Sequence, residues 1–134
     1  MSAKAPVDPI RKYLDTARHQ IAVGNLTGAA QTLNDARRRS PRDARLFMLA
    51  GIMAEKSGNL NGAFDALQRC VTMAPDWGPG LLELALLYAR HDRDNEAMAT
   101  AEKVIALEPN NAQVIAGVVD IAHRAGNTEM AIRH

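Results

Sequence analysis

A step of 34 residues runs through this chain and leaves few architectures open to it. Pro41, Pro75 and Pro109 stand on that step, as do Ala29, Ala63, Ala97 and Ala131. The turn dipeptides Gly24-Asn25, Gly58-Asn59 and Gly126-Asn127 keep it too, with Asp92-Arg93 in the remaining place. A unit of this length, repeated without a gap, is one supersecondary module too thin to bury its own apolar side. Such modules must stack, and the core then runs along the chain instead of gathering at one centre.

Each module reads as two helices. Asp8 is placed as an N-cap with Pro9 at the first helical position, and Asp43, Asp76 and Asn111 stand comparably in later modules. The first helix runs to the Gly-Asn turn, where glycine meets the left-handed conformation of a helix C-terminus. Asp92 takes that place in the third module and should carry modest strain. The second helix stops before the proline, which cannot continue it. Composition agrees, with 24 Ala and 13 Leu against five aromatics among 134 residues. The fourth place of each module is large (Tyr13, Phe47, Leu81, Ile115), and the eighth is small in three of them (Ala17, Gly51, Ala85). Small residues at the eighth and twentieth places let the two helices cross closely. Val119 breaks that rule in the last module.

These marks resemble the tetratricopeptide repeat, in units 10–43, 44–77, 78–111 and a truncated 112–134, after a flexible lead over 1–9. The segment Ala101–Ala112, AEKVIALEPNNA, is especially similar to the family pattern. The resemblance implies an all-α, right-handed superhelical solenoid of antiparallel helix pairs, three full repeats plus a partial fourth. In the last unit the second helix is expected from near Thr128. The resemblance also implies that the first helices line a concave side on which peptides dock. Residues opposite the packing stripe then give an apolar floor of Leu14, Met48, Leu49, Ile52, Leu82 and Leu86. Arg11, Arg18, Arg45, Arg90 and Arg124 stand at its margins, and Glu83 and Asp120 lie among them. The expected ligand is a protein or peptide, held as an extended or helical segment by apolar anchors and arginine contacts.

One narrower role implied by the family fails on its residues. Repeats that clamp the acidic tail of heat-shock chaperones use Lys and Asn where this chain has Leu14 and Arg18. They use Asn where Leu49 stands, and Lys and Arg at Pro79 and Glu83. No element of that clamp is present.

Charge and composition exclude other classes. The formal charge of +1 gives no bulk attraction to nucleic acid or membranes. Arg37-Arg38-Arg39 with Arg42 makes the first unit basic, but no aromatic residues alternate with these arginines for base stacking. They read as a solvated outer face. His19, His91, His123 and His134 lack metal-ligand spacing, so no metal and no cofactor is expected. Cys70 falls at a packing position of a second helix, and Trp77 at the joint between units. No nucleophile motif or phosphate loop is present, which favours a non-catalytic scaffold in the cytoplasm. The alternative is the docking arm of a larger enzyme such as a glycosyltransferase or sulfotransferase. The unfinished last unit should leave Ile115, Val118, Met130 and Ile132 uncovered, open to self-association.

Overall fold

The computed structural model describes residues 8–133, with side chains described as far as residue 124. Seven helices follow one another: α1 Arg11–Ala22, α2 Leu26–Arg39, α3 Ala44–Lys56, α4 Leu60–Met73, α5 Gly78–Arg90, α6 Asp94–Leu107 and α7 Ala112–Arg133. They form an all-α helical repeat solenoid. The pairs α1/α2, α3/α4 and α5/α6 pack internally as hairpins, and α7 lies against both α5 and α6.

The turns follow from the residues identified in sequence. Gly24 and Gly58 sit at φ +83°, and Asp92 adopts φ +62° in the equivalent place. Asn25 and Asn59 then cap α2 and α4, each side chain accepting a backbone N–H three residues on, from Gly28 and Gly62, at 3.0 Å. Asp43 accepts from the Arg45 N–H and Asn111 from the Gln113 N–H, both at 3.0 Å. Asp76 does not cap its helix; Trp77 holds that position without a side-chain bond, and Pro79 within the first turn removes one donor that would need capping.

Small residues set the spacing. Ala17, Ala29, Ala63, Ala85 and Ala97 are fully buried where first and second helices cross. At Gly51 a Cβ would stand 2.7 Å from Leu67 Cγ and 3.3 Å from the Ala63 carbonyl oxygen. Between repeats, Cys70 Sγ of α4 packs against Gly80 of α5 beside the Trp77 ring. Burial pushes the Cys70 thiol up to about 11, so it is a packing residue and not a thiolate.

Two expectations are corrected at the ends. Asp8 does not cap the first helix and Pro9 does not open it: α1 begins at Arg11 with Ile10 at the cap, and the Asp8 carboxylate is held by Arg45 of α3. Residues 1–7 lie outside the described residues. At the other end no turn interrupts the chain at Gly126-Asn127, because α7 continues as a single helix to Arg133. Continuation keeps the helical hydrogen-bond ladder intact through that dipeptide. Ile115 and Val119 are exposed and Val118 half-buried. The side chains of Met130 and Ile132 lie outside the described set.

Candidate functional site

Curvature follows from which helices touch. Successive first helices lie against one another, α1 on α3, α3 on α5 and α5 on α7. Second helices meet their own partner and the next first helix, but not each other. The first helices are therefore crowded together on the inner side, and they build the concave face.

That crowding corrects part of the proposed floor. Leu14 and Leu49 are buried members of the core, because the sides of neighbouring first helices that face each other are covered; Met48 is largely buried as well but still lines a hollow of the inner face. Ile52, Leu82 and Leu86 remain half-buried, and Ile52 and Leu82 line hollows of the inner surface. Leu82 leans across to α7, where a Cβ on Gly117 would stand 3.0 Å from its Cδ1.

The expected arginine margin is also largely committed within the chain. Arg45 donates to both Asp43 and Asp8, with Nη2 at 2.7 Å from Asp43 Oδ2 and 3.1 Å from Asp8 Oδ1. Hydrogen bonds from Arg45 hold both carboxyls below the usual range. Arg90 of α5 donates to both oxygens of Glu55 on α3, at 2.9 and 2.7 Å, and His91 Nε2 lies 3.0 Å from the same carboxylate. These contacts, Arg90 foremost, lower the Glu55 value. Arg11 lies 3.7 Å from Asp15 and Arg124 3.3 Å from Asp120, each across one helical turn. Arg18 is exposed and makes no ion pair among the described residues.

Two hollows open along the concave face, and Glu83 of α5 lines both. One, of about 340 Å³, lies among Arg18 of α1, Met48 of α3, Trp77, Leu82, Glu83, Glu108 and the start of α7 at Gln113 and Val114. The other, of about 470 Å³, is bounded by Ile52, Glu55, Lys56, Glu83 and Arg90. Residues from α1, α3, α5 and α7 thus line one continuous inner surface. Two further hollows lie elsewhere, under Tyr13 and Phe47, each walled by both helices of a single repeat. Outside the groove, Arg37, Arg38 and Arg39 are exposed, and the Arg39 guanidinium rests over the Tyr13 ring at 5.5 Å.

Glu83 stands apart electrostatically. Its carboxylate forms no hydrogen bond or ion pair with any described residue, and burial raises its pKa. Sequence reasoning placed Glu83 on this face but not its isolation. The available signal was an acid at the sixth place of a helix whose fifth and ninth places, Leu82 and Leu86, are apolar.

Comparison with known proteins agrees with this geometry. Residues 80–111 match the family model described as a tetratricopeptide repeat. Among solved structures, the first such domain of Spaghetti (RPAP3), bound to the HSP90 peptide SRMEEVD, superposes with a TM-score of 0.73 at 15% identity, covering 87% of this chain and 97% of that one. MamA superposes with a TM-score of 0.68 at 18% identity, covering 92% of this chain and 68% of MamA. A Thermobaculum terrenum O-GlcNAc transferase mutant gives 0.74 at 16% identity, over 86% of this chain but only 22% of the transferase. No helix among the described residues is long and apolar enough to cross a membrane.

Proposed function

We propose that this chain is a non-catalytic scaffold of the tetratricopeptide-repeat kind, whose concave face holds a segment of a partner protein. One observation carries this reading. Half-buried Ile52 and Leu82 line an inner surface that four first helices share, Glu83 lines both of its hollows, and half-buried Leu86 follows Leu82 by one helical turn on α5. A concave surface that is apolar at its floor and polar at its rim suits an inserted peptide or helix. The Spaghetti (RPAP3) domain, which shares the fold, holds a peptide in its structure. The partner's apolar side chains would settle against Ile52 and Leu86, and its backbone would find Arg18, Lys56 and Gln113 along the edges.

The test is the Ile52→Ser, Leu86→Ser double variant. Both positions are half-buried on the inner face, unlike Met48, whose replacement would open the core. Partner capture should be lost while the helical circular dichroism spectrum persists. Capture at wild-type strength would remove the groove assignment.

A further inference from the structure

The hollow beside Glu83 carries two carboxylates, Glu83 and Glu108, against the single guanidinium of Arg18 among its described lining residues. Glu83 lines it from α5. Glu108, at the C-terminal end of α6, lines it as well, and its carboxylate lies directly over Gly78. Neither carboxylate has a hydrogen bond or ion pair among the described residues. Glu108 is partly compensated by its place at the positive end of α5, since Gly78 opens that helix. Glu83 sits in the middle of its helix and has no such support.

The nearby cations are engaged elsewhere or form no hydrogen bond or ion pair with Glu83 among the described residues. Arg90, two helical turns along α5, gives both arms of its guanidinium to Glu55. His91 is directed to the same carboxylate. Arg18 and Lys56 line the two hollows from α1 and α3, exposed and without contact to Glu83. A carboxylate withdrawn from water and left uncompensated is costly to a free protein. It becomes a strong recognition element when a ligand supplies the counter-charge, because the resulting pair forms in a partly desolvated site.

We propose that the segment held in this groove carries a lysine or arginine, and that Glu83 receives its cationic head. This deepens the groove reading and rests on it. The charged head enters between the two hollows, and neighbouring apolar side chains of the same segment lie over Leu82 on one side and Ile52 and Leu86 on the other. An acidic segment is excluded from the centre by Glu83 and Glu108 together.

The experiment uses three short peptides with identical leucine and serine flanks and a central Lys, Gln or Glu. Each is titrated by fluorescence anisotropy into the whole chain, into Glu83→Gln and into the Ile52→Ser, Leu86→Ser variant. Wild type should bind the Lys peptide about tenfold more tightly than the Gln peptide, as a hydrogen bond to a charged group warrants. The Glu peptide should bind weakest. Glu83→Gln should bind Lys and Gln peptides alike, with the wild-type helical circular dichroism spectrum showing that the variant is folded. A Lys preference that survives in Glu83→Gln, or that wild type never shows, overturns the proposal and leaves the groove standing if the double variant weakens all three peptides. Failure of all three to bind wild type overturns the groove reading together with the proposal.

Discussion

Arg90 and Glu55 meet side by side across the gap between α5 and α3, both guanidinium donors engaged, at 2.9 and 2.7 Å. They lie 35 residues apart, one repeat plus one, so the pair ties a repeat to its neighbour. It also commits both guanidinium arms of Arg90 to Glu55, leaving Glu83 without a hydrogen-bonded counter-charge among the described residues. The pair is partly exposed, at 37% and 21% of the side chains. Arg90→Ala should therefore cost no more than about 1 kcal/mol, measured by urea unfolding.

The pH dependence of stability has two opposing contributions. Glu55 is held below its ordinary 4.5, chiefly by Arg90, so its stabilisation is complete above pH 4.5 and is lost as pH falls through the lowered folded-state value. Asp43, lowered from 3.8 by Arg45, behaves alike at slightly lower pH. Thermal melts of Glu55→Gln should show a shallower acid decline than wild type.

Glu83 has the reverse sign. Its value is raised above 4.5 by burial, so its ionised form weighs against the fold at neutral pH, and the penalty disappears as pH falls to 4.5 and below. Glu83→Gln should melt higher than wild type at neutral pH, with the gain shrinking in acid. A variant that gains stability while losing selectivity for a cation is the mark of a residue kept for binding.

Gly51 tests the helix crossing. Gly51→Ala improves helix propensity by up to about 1 kcal/mol but forces a methyl against Leu67 Cγ and the Ala63 carbonyl. Overpacking of this kind costs about 1–3 kcal/mol, so the urea midpoint should fall.

Asp92 tests the turn. At φ +62° it occupies the conformation that Gly24 and Gly58 take in the other repeats. Asp92→Gly should raise the melting temperature, with a gain of about 1 kcal/mol or less, since Asp tolerates that region better than most residues.

The repeat, its turns and its small crossing residues were legible in sequence because each is a local demand. Gly24 needs a positive φ, Asn25 a cap, and Ala29 a close helix crossing. The inner surface was legible only in part. Helical periodicity places Leu14, Met48 and Leu49 opposite the packing stripe, but it does not report that a neighbouring first helix covers that side. The pairs Asp8–Arg45 and Glu55–Arg90 span 37 and 35 residues and depend on how far one repeat is rotated from the next. Opposite charges offset by about one repeat were their only trace. Continuity of α7 through Gly126-Asn127 runs against the local turn signal of that dipeptide.

Binding on the face built by the first helices is tested most directly by amide chemical-shift mapping with the lysine-centred peptide. Perturbations should concentrate at Ile52, Leu82, Glu83 and Leu86 and at the start of α7, leaving α2, α4 and α6 unmoved. Perturbations concentrated on those second helices would contradict it.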